Sequence, residues 1–298
     1  MRIATNTISD NIINQIDSLS TQQATLQGEV STGQRITEPE DDPSGVNTAL
    51  SLESQIRAVT QYNTNATNAL TVTQASYAGL TSLKSISDSA GEMATLGSGT
   101  LGTTAMSSYG TQTNELIEQA VQAANTQYNG EYLFAGTATT TPPITVTRDS
   151  AGDITAVTYA GNTSSAETPL SSTTSVTPLT DGTTNQGIAT FITNLISLRD
   201  ALNNGDTTAV AATQAGLADG ENTIVSAIAT NGGMQSRIEA AQTEDTSETT
   251  NLQTSMSADV SADLPTTVTK LDQAQTAYSA ALQSAVSTMQ LSILNYLK

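Results

Sequence analysis

Residues 264–289 read LPTTVTKLDQAQTAYSAALQSAVSTM. Within this stretch Leu264, Val268, Leu271, Gln275, Tyr278, Leu282, Ala285 and Met289 recur at alternating steps of four and three. That spacing returns side chains to one line along a helix, the narrow seam of a coiled coil rather than a broad apolar face. Asp263 suits the cap, and Pro265 is tolerated in a first turn. Ile293, Asn295, Tyr296 and Leu297 close the helix. The other end of the chain repeats the pattern over about residues 6–31, where Ile8, Ile12, Ile16, Leu19, Gln23, Leu26 and Val30 step by four and three until Ser31-Thr32-Gly33. A seam one side chain wide needs a partner. The economical arrangement pairs the two end seams with each other and brings the termini together.

Between them the signals change several times. Residues 34–45, with Pro39, Pro43 and Gly45, read as a linker. A long helix is expected over 45–97, with Ala49, Leu52, Ile56, Val59, Asn63, Ala66, Leu70, Thr73, Tyr77 and Leu80 on its seam. Fifty such residues would span roughly 75 Å. A third helix is expected over 105–129, stopped by Asn129-Gly130, and a short strand over 131–136. Ile144–Arg148 and Ile154–Tyr159 are alternating β-branched runs joined by a five-residue loop containing Gly152, a hairpin pattern. Helical pattern returns near 186, ends at Asn203-Asn204-Gly205, resumes after a cap at Asp206, and is expected to stop at Asn231-Gly232-Gly233 before a separate polar helix over 234–259. The expected fold is mainly α: an elongated rod of long antiparallel coiled-coil-like helices from both chain ends, with a small β-rich insert. Three regions follow: 1–40 with 262–298 as a terminal assembly domain, 41–136 with 186–261 as a helical body, and 137–185 as a surface insert.

Composition removes most chemistries. The chain has 298 residues, a net charge of −19, and no His, Cys or Trp. Imidazole bases, thiolate nucleophiles, disulfides and nearly all zinc sites are thereby excluded. Nine scattered cations make no basic stripe, so nucleic acid is not an expected partner. No stretch reads as a membrane span, and no apolar region of a cleaved leader follows Met1-Arg2-Ile3. Charged residues are 12%, about half the ordinary ~25%. Little of the net charge lies at the ends: over 1–30 and 263–298 the charged residues are Arg2, Asp10, Asp17, Glu29, Asp263, Lys270, Asp272 and Lys298, three cations against five anions.

The remaining motifs read as structure. Gly97, Gly99 and Gly102 match a dinucleotide fingerprint in letters only, because that mechanism needs a strand before the glycines and here a long helix precedes them. Glu38, Glu40, Asp41 and Asp42 lack the spacing of a calcium loop and suit a solvated linker with a helix-capping carboxylate. Tyr132, Leu133 and Phe134 read as core beneath the β insert. No catalytic, cofactor-binding or metal-ligating set is expected. The sharpest candidates are the end seams, Ile8, Ile12, Ile16, Leu19, Leu26, Val30, Leu264, Val268, Leu271, Tyr278, Leu282, Met289, Ile293 and Leu297, packing within the chain and between copies of it.

These ends resemble the flagellin superfamily. Arg2-Ile3-Ala4-Thr5-Asn6, Ser31-Thr32-Gly33-Gln34-Arg35-Ile36 and Asp41-Asp42-Pro43-Ser44-Gly45 are similar to its N-terminal signature. Leu271, Gln275, Tyr278, Ala281, Leu282 and Leu291-Ser292-Ile293-Leu294-Asn295-Tyr296-Leu297 are similar to its C-terminal one, and Gly233-Met234-Gln235-Ser236-Arg237-Ile238-Glu239 to the turn before its last helices. Asn129-Gly130-Glu131-Tyr132-Leu133-Phe134-Ala135-Gly136 and Asp42-Pro43 resemble the branch that joins hook to filament. The Thr-rich composition and the unassigned insert depart from the family pattern. The resemblance implies a non-enzymatic subunit of the bacterial flagellum, exported without a cleaved signal and extracellular. It implies a homo-oligomeric ring, contacts with another hook-associated protein and with flagellin, and an export chaperone on the C-terminal helix. A filament flagellin, or a surface adhesin using 137–185, are the alternatives.

Overall fold

The computed structural model describes the backbone of residues 2–100 and 102–296 and the side chains of 10–100 and 102–287. Six helices and three small antiparallel strand pairs are described. They fall into two compact units, residues 1–58 with 249–298 and residues 59–248.

The first unit holds α1 (Arg2–Thr32), the start of α2 (Pro43–Gly97), the end of α5 (Thr207–Val260) and α6 (Leu264–Tyr296). Helices α1 and α6 pack on each other. They run antiparallel, because the last turn of α1 lies beside the first turn of α6: Ala262 N donates to Gly33 O at 2.9 Å, and Thr267 Oγ1 to Glu29 Oε2 at 3.4 Å. The expected pairing of the two ends is therefore present.

The stretch read as a linker is ordered by hydrogen bonds. Gln34 forms a β-bridge with Ser261, and Arg35 N donates to Val260 O at 2.8 Å. The Asp41 carboxylate accepts from the backbone of Thr37 and Glu38, which holds it below the usual carboxylate range. Asp42 caps α2: its Oδ1 accepts from Gly45 N at 2.9 Å, with Pro43 at the first helical position. Ile36 turns inward, and a methyl on Gly45 would meet Ile36 Cδ1 at 2.5 Å.

The second unit is built on the rest of α2, α3 (Thr103–Ala124), α4 (Gly182–Asn203) and the rest of α5. Its core joins Leu80 and Leu83 of α2, Met106 and Ile117 of α3, and Ile188, Phe191, Ile192 and Leu195 of α4. Asp181 caps α4 through Thr184 N, and Asp206 caps α5 through Thr208 N and Ala209 N. Along α2 the buried line runs Ala66, Ala69, Thr73, Ser76, Leu80, Leu83; Tyr77, placed on the seam by spacing alone, is 42% exposed.

Three expectations are corrected. Helix α3 stops at Ala124, and Asn129-Gly130 forms a two-residue hairpin turn between β1 (Gln127–Tyr128) and β2 (Glu131–Tyr132). Both turn residues have positive φ, 52° and 83°, the geometry for which Asn-Gly is suited. The strand expected over 131–136 ends at Tyr132, after which Leu133 and Phe134 enter the helical core. Helix α5 runs unbroken for 54 residues through Asn231-Gly232-Gly233. Burial of Ile224, Ala227 and Ile238 on either side offsets the cost of glycine in a helix, about 1 kcal/mol each.

The insert is tied to the helices in two places. The hairpin of β3 (Ile144–Arg148) and β4 (Ile154–Tyr159) falls where expected. Ile144 and Ile154 join the main core, and Arg148 pairs with Glu118 of α3. The pair of β5 (Thr168–Pro169) and β6 (Ser175–Val176) lies on α2 and α5, where Leu170 and Val176 pack with Ala66, Ala69 and Ile238.

Candidate assembly surface

On α1 the less exposed described positions are Ile12, Ile16, Leu19, Gln23, Leu26 and Val30, the line set by the sequence spacing, together with Gly28 and Glu29 near its end; Leu26 is the most buried. Ile13 stands off that line, 46% exposed. Ile8, Met289, Ile293 and Leu297 lie outside the described side chains.

On α6 the packed line is rotated from the expected one. Thr267, Leu271, Ala274, Tyr278, Ala281 and Ala285 are the buried or half-buried positions. They keep steps of four and three, but share only Leu271, Tyr278 and Ala285 with the strict seam. Leu264, Val268 and Leu282 are 44%, 42% and 42% exposed. Val286, which spacing did not single out, is 55% exposed and continues the same stripe. At 100° per residue this stripe sits about 80° around the helix from the packed line. Small residues on the packed line, Ala274, Ala281 and Ala285, let α1 approach closely. The larger Leu and Val side chains are left on the open flank. Asp272 is the charge nearest that flank.

The same unit carries a second apolar feature that the linker reading missed. A groove of about 500 Å³ is lined by Ile36, Pro39, Val46, Leu50, Met256 and Val260, with Glu38 and Glu53 at its edge. Leu50 is 55% exposed there. The one sequence signal for it is that Leu50 follows seam residue Ala49 and so doubles the apolar width of α2 at that turn.

No helix among the described residues is long and apolar enough to cross a membrane. Among the described residues no group of three carboxylates converges as a metal site, and Asp41 and Asp42 are engaged in capping. The arrangement offers contact surface.

Residues 3–139 match the family model of the bacterial flagellin N-terminal helical region. Among curated proteins none matches this chain in sequence. Several solved structures share its fold. A protein of Vibrio parahaemolyticus described as flagellar hook-associated is 18% identical, with a TM-score of 0.66 over 74% of this chain and 100% of that one. FlgL of Bacillus cereus is 16% identical, with a TM-score of 0.60 over 70% of this chain and 99% of that one. FlgL of Xanthomonas campestris is 13% identical, with a TM-score of 0.56 over 69% and 99%.

Proposed function

We propose that this chain, whose residues 3–139 match the bacterial flagellin N-terminal helical region, is a flagellar structural subunit of the flagellin superfamily that joins hook to filament and assembles through its terminal helices. In this reading 1–40 with 262–298 form the assembly domain, 41–136 with 186–261 the body, and 137–185 the surface insert. Copies close into a ring that contacts another hook-associated protein on one side and flagellin on the other. The chain is exported without a cleaved signal, an export chaperone holding its C-terminal helix beforehand. Its role is structural, with no reaction catalysed.

The observation that carries the proposal is the open stripe of Leu264, Val268, Leu282 and Val286 beside a seam already occupied by α1. Four large apolar residues at helical spacing on a sparsely charged flank favour a neighbour over water. Most of the −19 charge lies outside the terminal helices, so repulsion between copies is screened by salt. Co-assembly with hook and filament proteins should therefore strengthen as ionic strength rises. Removing 271–298 should abolish co-assembly while circular dichroism still shows a folded middle. A strain lacking the gene should make hooks that carry no filament; full filaments on its hooks would overturn the junction role.

A further inference from the structure

One buried acid has no part in the assembly surface. Asp245, on α5 within the second unit, is 7% exposed, and its Oδ2 meets no hydrogen-bond partner. The helix pairing around it is polar. Asn63 Nδ2 donates to Gln242 O at 3.4 Å, and Gln242 Nε2 to Thr67 Oγ1 at 3.1 Å. Apolar support on this stretch is the small cluster of Ala66, Ala69, Leu170, Val176 and Ile238. With 63 beside 242 and Gln214 bonded to Ala94 O, α2 and α5 run antiparallel, which sets Asp245 against the turn of α2 around Val59–Asn63.

Among the described residues no cation answers this carboxylate. From Ala58 to Leu83 α2 carries no charged side chain, and Tyr62 is its titratable group at that turn. Arg57, one turn earlier, is bound to Glu53. The β5–β6 segment brings Glu167, whose carboxylate accepts from Ser175 Oγ. On α5 itself the neighbours are Glu244 and Glu248, and Arg237 is more than two turns away. Burial first, and then the like charge of Glu244, push the Asp245 carboxyl above the usual carboxylate range.

We propose that Asp245 makes the pairing of α2 residues 59–70 with α5 residues 238–248 pH-responsive, closed when its carboxyl carries a proton and loosened when it ionises. The neutral acid is the form this site accepts, so its contribution is present in acid and withdrawn as pH rises through the folded-state value. An ionised oxygen here either stays buried without a donor or draws water between the helices.

Hydrogen–deuterium exchange on the full chain tests this, with rates corrected for the chemistry of exchange and compared with peptides of α4. Between about pH 4 and about pH 8, exchange in 59–70 and 238–248 should rise about tenfold relative to α4, the scale set by an unsatisfied buried group. Asp245→Asn should remove the rise. Glu244→Gln should move it to lower pH, because it takes away a charge that favours the protonated form. A flat wild-type profile, or an unchanged rise in D245N, overturns the proposal. Should D245N not fold, the wild-type profile and the direction of the E244Q shift decide.

Discussion

The two units reach stability by different means. Around α4 the second unit buries Phe191, Ile192, Leu195, Leu198 and Leu202 with no exposed surface, and Phe134 and Ile117 close over them. Among the described residues the α1–α6 pair of the first unit has nothing comparable. The best-buried of its described positions, Leu26, Thr267, Ala274 and Ala285, are 5–9% exposed, and two of them are alanines. A full Leu or Phe returns about 1.5–3 kcal/mol on burial, whereas an alanine returns a fraction of that. One unit is a domain with a closed core. The other is a seam that holds itself loosely and leaves apolar surface to spare.

The largest effect that could break this contrast is truncation of the core. Phe191→Ala or Leu195→Ala should cost about 3–5 kcal/mol of unfolding free energy, because both sites are enclosed on all sides and cannot collapse. Leu26→Ala should cost about 1–2 kcal/mol, since a seam can close over the missing methyls. Urea unfolding followed by circular dichroism measures both. Equal losses at the two sites would mean that the terminal pair is as well packed as the core.

The sequence was most legible where one period ran without interruption. The described part of the α1 seam, Ile12 to Val30, and the hairpin of Ile144–Arg148 with Ile154–Tyr159 stand where the spacing put them. It was least legible at Asn-Gly, which occurs in three settings. Asn129-Gly130 turns a hairpin, Asn204-Gly205 ends a helix with Gly205 at φ 66°, and Asn231-Gly232 lies inside an unbroken helix. The dipeptide permits a left-handed turn, and packing on either side decides whether the turn is taken. The α6 surface was legible by half. Periodicity places Leu264, Val268 and Leu282 on one line with Leu271 and Tyr278, but does not say on which side of that line α1 will lie. The small residues Ala274 and Ala281 drew α1 to their side. Ile36 and the groove beside it are not legible because Pro39, Pro43 and Gly45 announce a linker, and, besides the local bonds of Asp41 and Asp42, the segment is held by residues 259–262, far away in sequence.

The next effect by size is polar. Arg199 is 5% exposed in the closed core, where its Nη1 donates to Ile154 O at 2.7 Å and to Asn114 Oδ1 at 3.0 Å, and its Nε and Nη2 to Asp200 Oδ1. It ties β4 to α3 and α4. Arg199→Met keeps the volume but strands a buried carbonyl, and should cost about 2–3 kcal/mol in the same urea experiment. A neutral result would show that the hairpin is held by Ile144 and Ile154 alone.

Glycines sharpen the contrast with opposite signs inside one helix. At Gly220 a methyl would meet Phe191 Cδ2 at 2.6 Å and Cβ at 2.8 Å, so Gly220→Ala overpacks the core and should destabilise by about 1–3 kcal/mol. At Gly232 and Gly233 an added methyl meets nothing within 4 Å. Alanine there should stabilise by about 0.5–1 kcal/mol each, from helix propensity and a less flexible unfolded chain. If Gly232→Ala instead lowered the melting temperature, the continuity of α5 through this point would be in doubt.

The smallest expected effect is the acid sensitivity of the 34–45 segment in the first unit. Backbone N–H groups of Glu38 and Thr37 hold the Asp41 carboxyl low, and Gly45 N–H followed by the Arg35 guanidinium does the same for Asp42. Both groups bind protons less readily folded than unfolded. Their contribution is therefore present above the unfolded-state value near 3.8 and is lost as pH falls through the lower folded values. Because both carboxylates are close to solvent, the loss should be modest and should fade at high salt. Asp42→Asn keeps an oxygen for Gly45 N–H but gives up the charge toward Arg35, so it should remove the salt-sensitive part alone; Asp42→Ala should remove the cap as well. Exchange of the Val46 amide, which donates to Asp42 O at 2.9 Å, reports on this turn directly. Acid loosening there should run opposite in sign to the alkaline loosening at Asp245, so a single pH series on one sample would separate the two units.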